Sequence, residues 1–189
     1  MKSSVQKEIK PRIARGLSLR QADYPIIIKC IGLPWLESKE NSDHVLWIRW
    51  NCGDRLRFLE GWERALAILD NQNLLKPRII RMLKNPDQSE DTMAQVEVAS
   101  ALLTKGFEID LEAEKSGKTP DILLSCEAVC IEVKNLHTAA ALLEQAETGN
   151  AKVIWLRDRL PQALEEKYNR LLDGFPNILV VITPPGNPI

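Results

Sequence analysis

The chain has 189 residues, 44% hydrophobic and 27% charged, with a formal net charge of −1. That is enough apolar content for a core, and too little positive charge for a general nucleic-acid coat. The longest apolar runs, such as residues 178–182, fall far short of the roughly 18 residues that a membrane-spanning helix needs.

Residues 1–8 hold no apolar stretch that would serve as a signal peptide, so a cytoplasmic location and no membrane partner are expected. Four cysteines without a CxxC pair and only two histidines make no convincing zinc set. The thiols are expected to be reduced and mostly buried. Charge is uneven: residues 1–57 carry 11 Lys/Arg against 6 Asp/Glu, whereas both later thirds are acidic. Any phosphate contacts are expected from this first third.

Residues 1–24 are basic and poor in large apolar side chains. The β-branched run 26–31, bounded by Pro25 and Gly32, reads as a strand, and so does 44–50. The two are joined by a loop over 34–43. Leu59, Trp62, Leu66 and Leu69 have helical spacing, and Pro77–Leu83 reads as one or two further helical turns. Trp35, Trp47, Trp50 and Trp62 are expected in a core rather than as stacking platforms for bases. The polar stretch 85–91 is taken as the boundary between an N-terminal α+β extension (1–85) and a second domain (86–189).

In the second domain a helix is expected over 92–105, capped by Ser89 or Asp91, apolar almost all round and ended by Gly106. Glu97 and Glu90 lie on one side of it, as surface glutamates would. Residues 107–114 alternate apolar and acidic, a strand pattern. Further on come a helix over 137–147 and a short strand over 152–156. An amphipathic helix over 161–172 follows, with Leu164, Tyr168, Leu171 and Leu172 on its apolar stripe. Asn177–Ile182 is continuously apolar, the pattern of a strand covered on both faces.

The stretch that carries chemistry is 119–134. Two apolar runs, Ile122–Leu124 and 128–133, flank a polar break and form a hairpin signal. A two-residue turn at Cys126-Glu127 sets Ser125 opposite Ala128 and, counting outward, Asp121 opposite Glu132. Opposed side chains share a face with Cβ atoms roughly 4.5–5.5 Å apart. Lys134, two residues past Glu132, shares that face, while Ile131 and Val133 point into the core. Two facing carboxylates repel each other, and a hard divalent cation such as Mg²⁺ reverses the sign. A neighbouring lysine can position water and offset charge on phosphate. The bland alternative is an amphipathic strand whose Glu and Lys face water.

Pro120-Asp121, ten intervening residues and Glu132-Val133-Lys134 together resemble the signature of the PD-(D/E)XK nuclease superfamily. The α-β-β-β-α-β order over 91–156 resembles its core, as does the Lys105-Gly106-Phe107 lead-in. The resemblance covers about a third of the chain. It implies an α/β fold with a restriction-endonuclease-like core, a mixed sheet flanked by helices. It also implies a Mg²⁺-dependent endonuclease (Mn²⁺ substituting) acting on nucleic acid, most often DNA. Asp121 and Glu132 would be metal ligands, joined by the Val133 carbonyl; Lys134 would position the water, and Glu97 would complete the shell or hold a second ion. Gln145 could reach substrate, though a surface role is the simpler reading, and His137 reads as a cap or a surface residue. A homodimer would serve double-strand cutting. The alternative is a non-catalytic member of the fold that binds nucleic acid or protein.

Overall fold

The structure, a computed structural model, describes residues 23–51, 56–111, 113, 119–135, 161, 164–168, 170–171 and 174–182. The chain divides into two compact units, Met1–Ala67 and Ile68–Ile189.

The described part of the first unit is helical. It comprises α1 (Pro25–Ile31), α2 (Leu33–Glu37), a 3₁₀ turn (Lys39–Asn41), α3 (Val45–Asn51) and most of α4 (Leu56–Asn71). The strands expected over 26–31 and 44–50 are therefore helices, and the described residues of the extension contain no strand. In α1 the buried residues are Ile27, Cys30 and Ile31, a helical i, i+3, i+4 set that outweighs the β-branched composition. Pro25 stands in the first turn, where its missing N–H costs nothing. The Glu63 carboxylate of α4 accepts hydrogen bonds from the amides of Ile26 (2.7 Å) and Ile27 (2.9 Å), capping the positive end of α1. Gly32, at φ 88°, ends it. In α3, Leu46 and Trp50 are buried one helical turn apart.

Trp50 and Trp62 are core residues, at 0% and 3% exposure, as expected, whereas Trp35 and Trp47 are only half-buried. The Arg49 guanidinium lies 3.4 Å from the centre of the Phe58 ring. The basic residues from Lys7 to Arg20 lie outside the described residues.

The second unit contains α5 (Pro77–Leu83), α6 (Ser89–Thr104) and a four-stranded sheet of β1 (Ile109–Leu111), β2 (Ile122–Leu124), β3 (Val129–Asn135) and β4 (Asn177–Ile182). The sheet is mixed, in the order β1-β2-β3-β4: the first three strands are antiparallel, and β4 runs parallel to β3. The fold is thus mixed α/β, as expected. The polar stretch 85–91 joins α5 to the start of α6 inside this unit. No side chain caps α6, whose N-cap is Gln88, so neither Ser89 nor Asp91 plays the expected part.

Ile109, Leu111, Ile122, Leu124, Ile131 and Val133 alternate along their strands and are all buried, and α6 packs along β1 and β3. Leu123 and Cys130 form a small cluster of their own with Ala113 and Phe175. Cys30 and Cys130 are buried and in no disulfide, as expected, while Cys126 is exposed in the hairpin turn. β4 departs from expectation: its residues are half-buried and Ile178 is 46% exposed, because β4 is an outer strand of the described sheet. The helix over 137–147 and the strand over 152–156, with Gln145 and His137, lie outside the described residues.

Candidate functional site

The β2–β3 hairpin has the register expected from its sequence. Ile122 pairs with Ile131, Leu123 with Cys130 and Leu124 with Val129, which aligns Asp121 with Glu132 one step further out. The turn spans residues 125–128, tied down by the Ser125 amide donating to the Glu108 carbonyl (2.9 Å). Ala128 in this turn has φ 52°, a left-handed conformation that is unusual for alanine.

Asp121 is fixed from several directions. Its carbonyl accepts from Gln95 Nε2 of α6 at 2.6 Å. Its Oδ2 accepts from the Val133 amide at 2.8 Å, and its own amide donates to Glu132 Oε1 at 3.3 Å. The two acids therefore form a closed ring with the backbone between them. Glu132 is only 1% exposed.

The charge of this pair is met by residues outside the hairpin. Residues 164–168 are helical, and Lys167 there is 7% exposed. Its Nζ donates to Asp121 Oδ2 (2.7 Å) and to Glu132 Oε2 (3.0 Å). Arg170 adds Nη2 to Asp121 Oδ1 (3.0 Å) and Nε to Glu132 Oε2 (3.4 Å), and also donates to the Thr119 carbonyl. Burial raises the Glu132 carboxyl above the ordinary carboxylate range, and the Asp121 charge raises it further. The Lys167 charge and hydrogen bond, and the Arg170 charge, pull it back.

Lys134 faces a different set of acids. Its Nζ lies 2.9 Å from Glu166 Oε2 and 3.5 Å from Asp91 Oδ2. Burial alone would lower its pKa, but the hydrogen bond to Glu166 and the charges of Asp91 and Glu166 outweigh burial and raise it. Asp91 Oδ1 also accepts from the Asn135 amide at 3.3 Å.

Asp121, Val133, Lys167 and Arg170 line a cavity of about 170 Å³ together with Asp91 and Gln95 of α6. Glu97 is exposed on α6 and is not among the lining residues; Asp91 is the acid that this helix brings to the cavity. The Glu90 carbonyl accepts from Asn135 Nδ2 at 3.5 Å.

Lys167, Arg170, Glu166, Asp91 and Gln95 are absent from the sequence-based set. The apolar stripe Leu164, Tyr168 and Leu171 suggests that the opposite side of that helix faces water. Leu164 and Tyr168 are nonetheless 46% and 73% exposed, while Lys167, on the flank of that stripe, is buried. The physical reason is the acid pair. Two facing carboxylates, one of them fully buried, need countercharge more than a leucine and a tyrosine need cover.

Two carboxylate oxygens from different strands thus converge on one cationic atom, the Lys167 ammonium, which holds the place of a counterion. Two hard oxygen donors suit a small divalent cation of the Mg²⁺ class by their chemistry. Among the described residues, no group of three or more His, Cys, Asp or Glu side chains clusters as a metal-ligand set. The protein ligands for such an ion would therefore be Asp121 and Glu132, with water or substrate completing its shell.

No family model, curated protein or solved structure matches this chain.

Proposed function

We propose that the second unit is a metal-dependent phosphodiesterase that hydrolyses nucleic acid, DNA in the first instance. The observation that carries this reading is the convergence of Asp121 Oδ2 and Glu132 Oε2 on a single cation position, 2.7 and 3.0 Å from the Lys167 Nζ. It is supported by the resemblance of the Pro120-Asp121 and Glu132-Val133-Lys134 pattern to the PD-(D/E)XK signature.

Asp121 and Glu132 would hold Mg²⁺ or Mn²⁺. When bound, such an ion polarises a phosphoryl oxygen and acidifies a coordinated water. Asp121 is oriented for this by the Val133 amide and, through its carbonyl, by Gln95. Lys134 extends from the same strand two residues beyond Glu132, where its ammonium would orient water and offset charge on phosphate. The cavity beside these residues offers a polar recess open to Asp91 and Arg170.

A second reading has its own support. Lys167 and Arg170 neutralise the acid pair from within the chain, and Lys134 is paired with Glu166. That arrangement suits a non-catalytic module that binds nucleic acid or protein. Plasmid, linear duplex, single-stranded and branched DNA, incubated with protein in Mg²⁺, Mn²⁺ or EDTA, separate the two readings. Metal-dependent cleavage that disappears in Asp121→Ala and Lys134→Ala is the expected result. Wild type as inert as both variants on every substrate would favour the binding module.

A further inference from the structure

Three side chains from one short stretch engage Asp121, Glu132 and Lys134. Lys167 bridges Asp121 and Glu132, Arg170 contacts the same two acids, and Glu166 pairs with Lys134. In charge and position each stands for something the centre would otherwise bind. The Lys167 ammonium occupies the place of a metal ion between two carboxylates. The Glu166 carboxylate sits 2.9 Å from Lys134 as an anionic phosphate oxygen would.

What holds the stretch in place is also informative. Leu164 and Tyr168 are largely exposed while Lys167 is buried, so the described helical turn is seated by its charges rather than by Leu164 and Tyr168. Contacts of that kind can be exchanged for other ions, whereas a buried apolar face cannot.

We propose that residues 164–168 together with Arg170 form an internal plug, with Lys167 and a divalent cation competing for the Asp121–Glu132 pair. The plug and the loaded centre are then mutually exclusive. Withdrawing it exposes the acid pair and releases Lys134 from Glu166 in one movement. The inference rests on the metal-dependent reading above. It adds that the centre is self-occluded at rest and that metal, or substrate phosphate at Lys134, must displace the stretch. A plug seated about nine-tenths of the time weakens apparent metal affinity about tenfold.

The test is Mn²⁺ binding by calorimetry to wild type, Lys167→Gln and the double variant Lys167→Gln/Glu132→Gln. Hydrogen–deuterium exchange of residues 164–168 is followed with and without Mn²⁺. Lys167→Gln should bind Mn²⁺ at least about tenfold more tightly than wild type. The double variant, which removes a carboxylate along with its countercharge, should lose that gain. Saturating Mn²⁺ should also speed exchange at 164–168 in wild type.

Equal Mn²⁺ affinity in wild type and Lys167→Gln would overturn the plug and leave the metal reading standing. No Mn²⁺ binding by either folded protein would overturn the metal reading and the plug with it. Should Lys167→Gln fail to fold, Arg170→Gln replaces it, since that side chain is 45% exposed. A tighter Mn²⁺ affinity then supports the plug, and an unchanged one overturns it.

Discussion

Replacing Lys167 by methionine keeps most of the length of the side chain and deletes its charge. The ammonium makes contacts of 2.7 Å to Asp121 and 3.0 Å to Glu132, with side chains 8%, 13% and 1% exposed. Breaking a buried ion pair by removing one partner costs about 3–5 kcal/mol, because the remaining charge is left uncompensated. Arg170 stays in contact with both acids but is half-exposed and partly screened, so the lower end, about 3 kcal/mol, is expected. The loss should depend on pH. Glu132 is already raised above its ordinary range by burial and by Asp121, and Lys167 opposes that rise. Without Lys167 the folded carboxyl rises further. A carboxyl raised on folding binds more protons in the native state than in the unfolded chain. Its contribution is therefore present at low pH and is lost as pH climbs through the folded value. The variant should be more destabilised at neutral pH than at acid pH, where the raised Glu132 carboxyl takes up a proton. Urea denaturation in EDTA, followed by circular dichroism at both pH values, measures this. A loss under about 1 kcal/mol, equal at the two pH values, would show that the ammonium does not lie between the carboxylates.

Three further outcomes follow from the geometry. Glu63→Ala removes the carboxylate that caps two amides of α1, and should cost the first unit about 1–2 kcal/mol by urea denaturation. Ala128→Gly relieves the left-handed backbone in the hairpin turn and should stabilise the second unit by about 0.5–1 kcal/mol, read as an upward shift of its urea midpoint. Lys134 is raised by Glu166 and Asp91 against the effect of burial, so its contribution is complete at neutral pH and lost as pH rises through the raised value. The stability difference between wild type and Lys134→Met should thus be constant across the neutral range and vanish at strongly alkaline pH.

The hairpin was legible because its information is local. Alternation in Val129–Asn135 and a short polar break determine register, and register alone aligns Asp121 with Glu132. Helices α4, α5 and α6 were legible through apolar spacing. The first unit was misread where composition and periodicity disagree: Ile26-Ile27-Ile28 has strand composition, but burial follows Ile27, Cys30 and Ile31. The capping acid that settles the matter, Glu63, is 36 and 37 residues away from the amides that it caps. Lys167 was missed for a related reason. Its burial is dictated by carboxylates 46 and 35 residues earlier, which the local pattern around Leu164 and Tyr168 does not show.

That burial bears on why the acid pair is there at all. Glu132 stands on a strand between buried Ile131 and Val133, on the same face as Cys130, whose neighbours Leu123 and Phe175 are apolar. A leucine at 132 could pack there without countercharge, and buried ion pairs replaced by apolar groups of similar volume are often neutral or more stable by about 1–4 kcal/mol. Stability therefore gives no reason to retain two facing carboxylates, a buried ammonium and a helical turn with Leu164 and Tyr168 exposed. A centre that must bind a cation gives such a reason, since the acid pair is then needed in one state and must be neutralised in the other. Lys167 supplies the neutral state from within the chain. On this view the exposure of Leu164 and Tyr168 is the visible cost of keeping the Asp121–Glu132 pair.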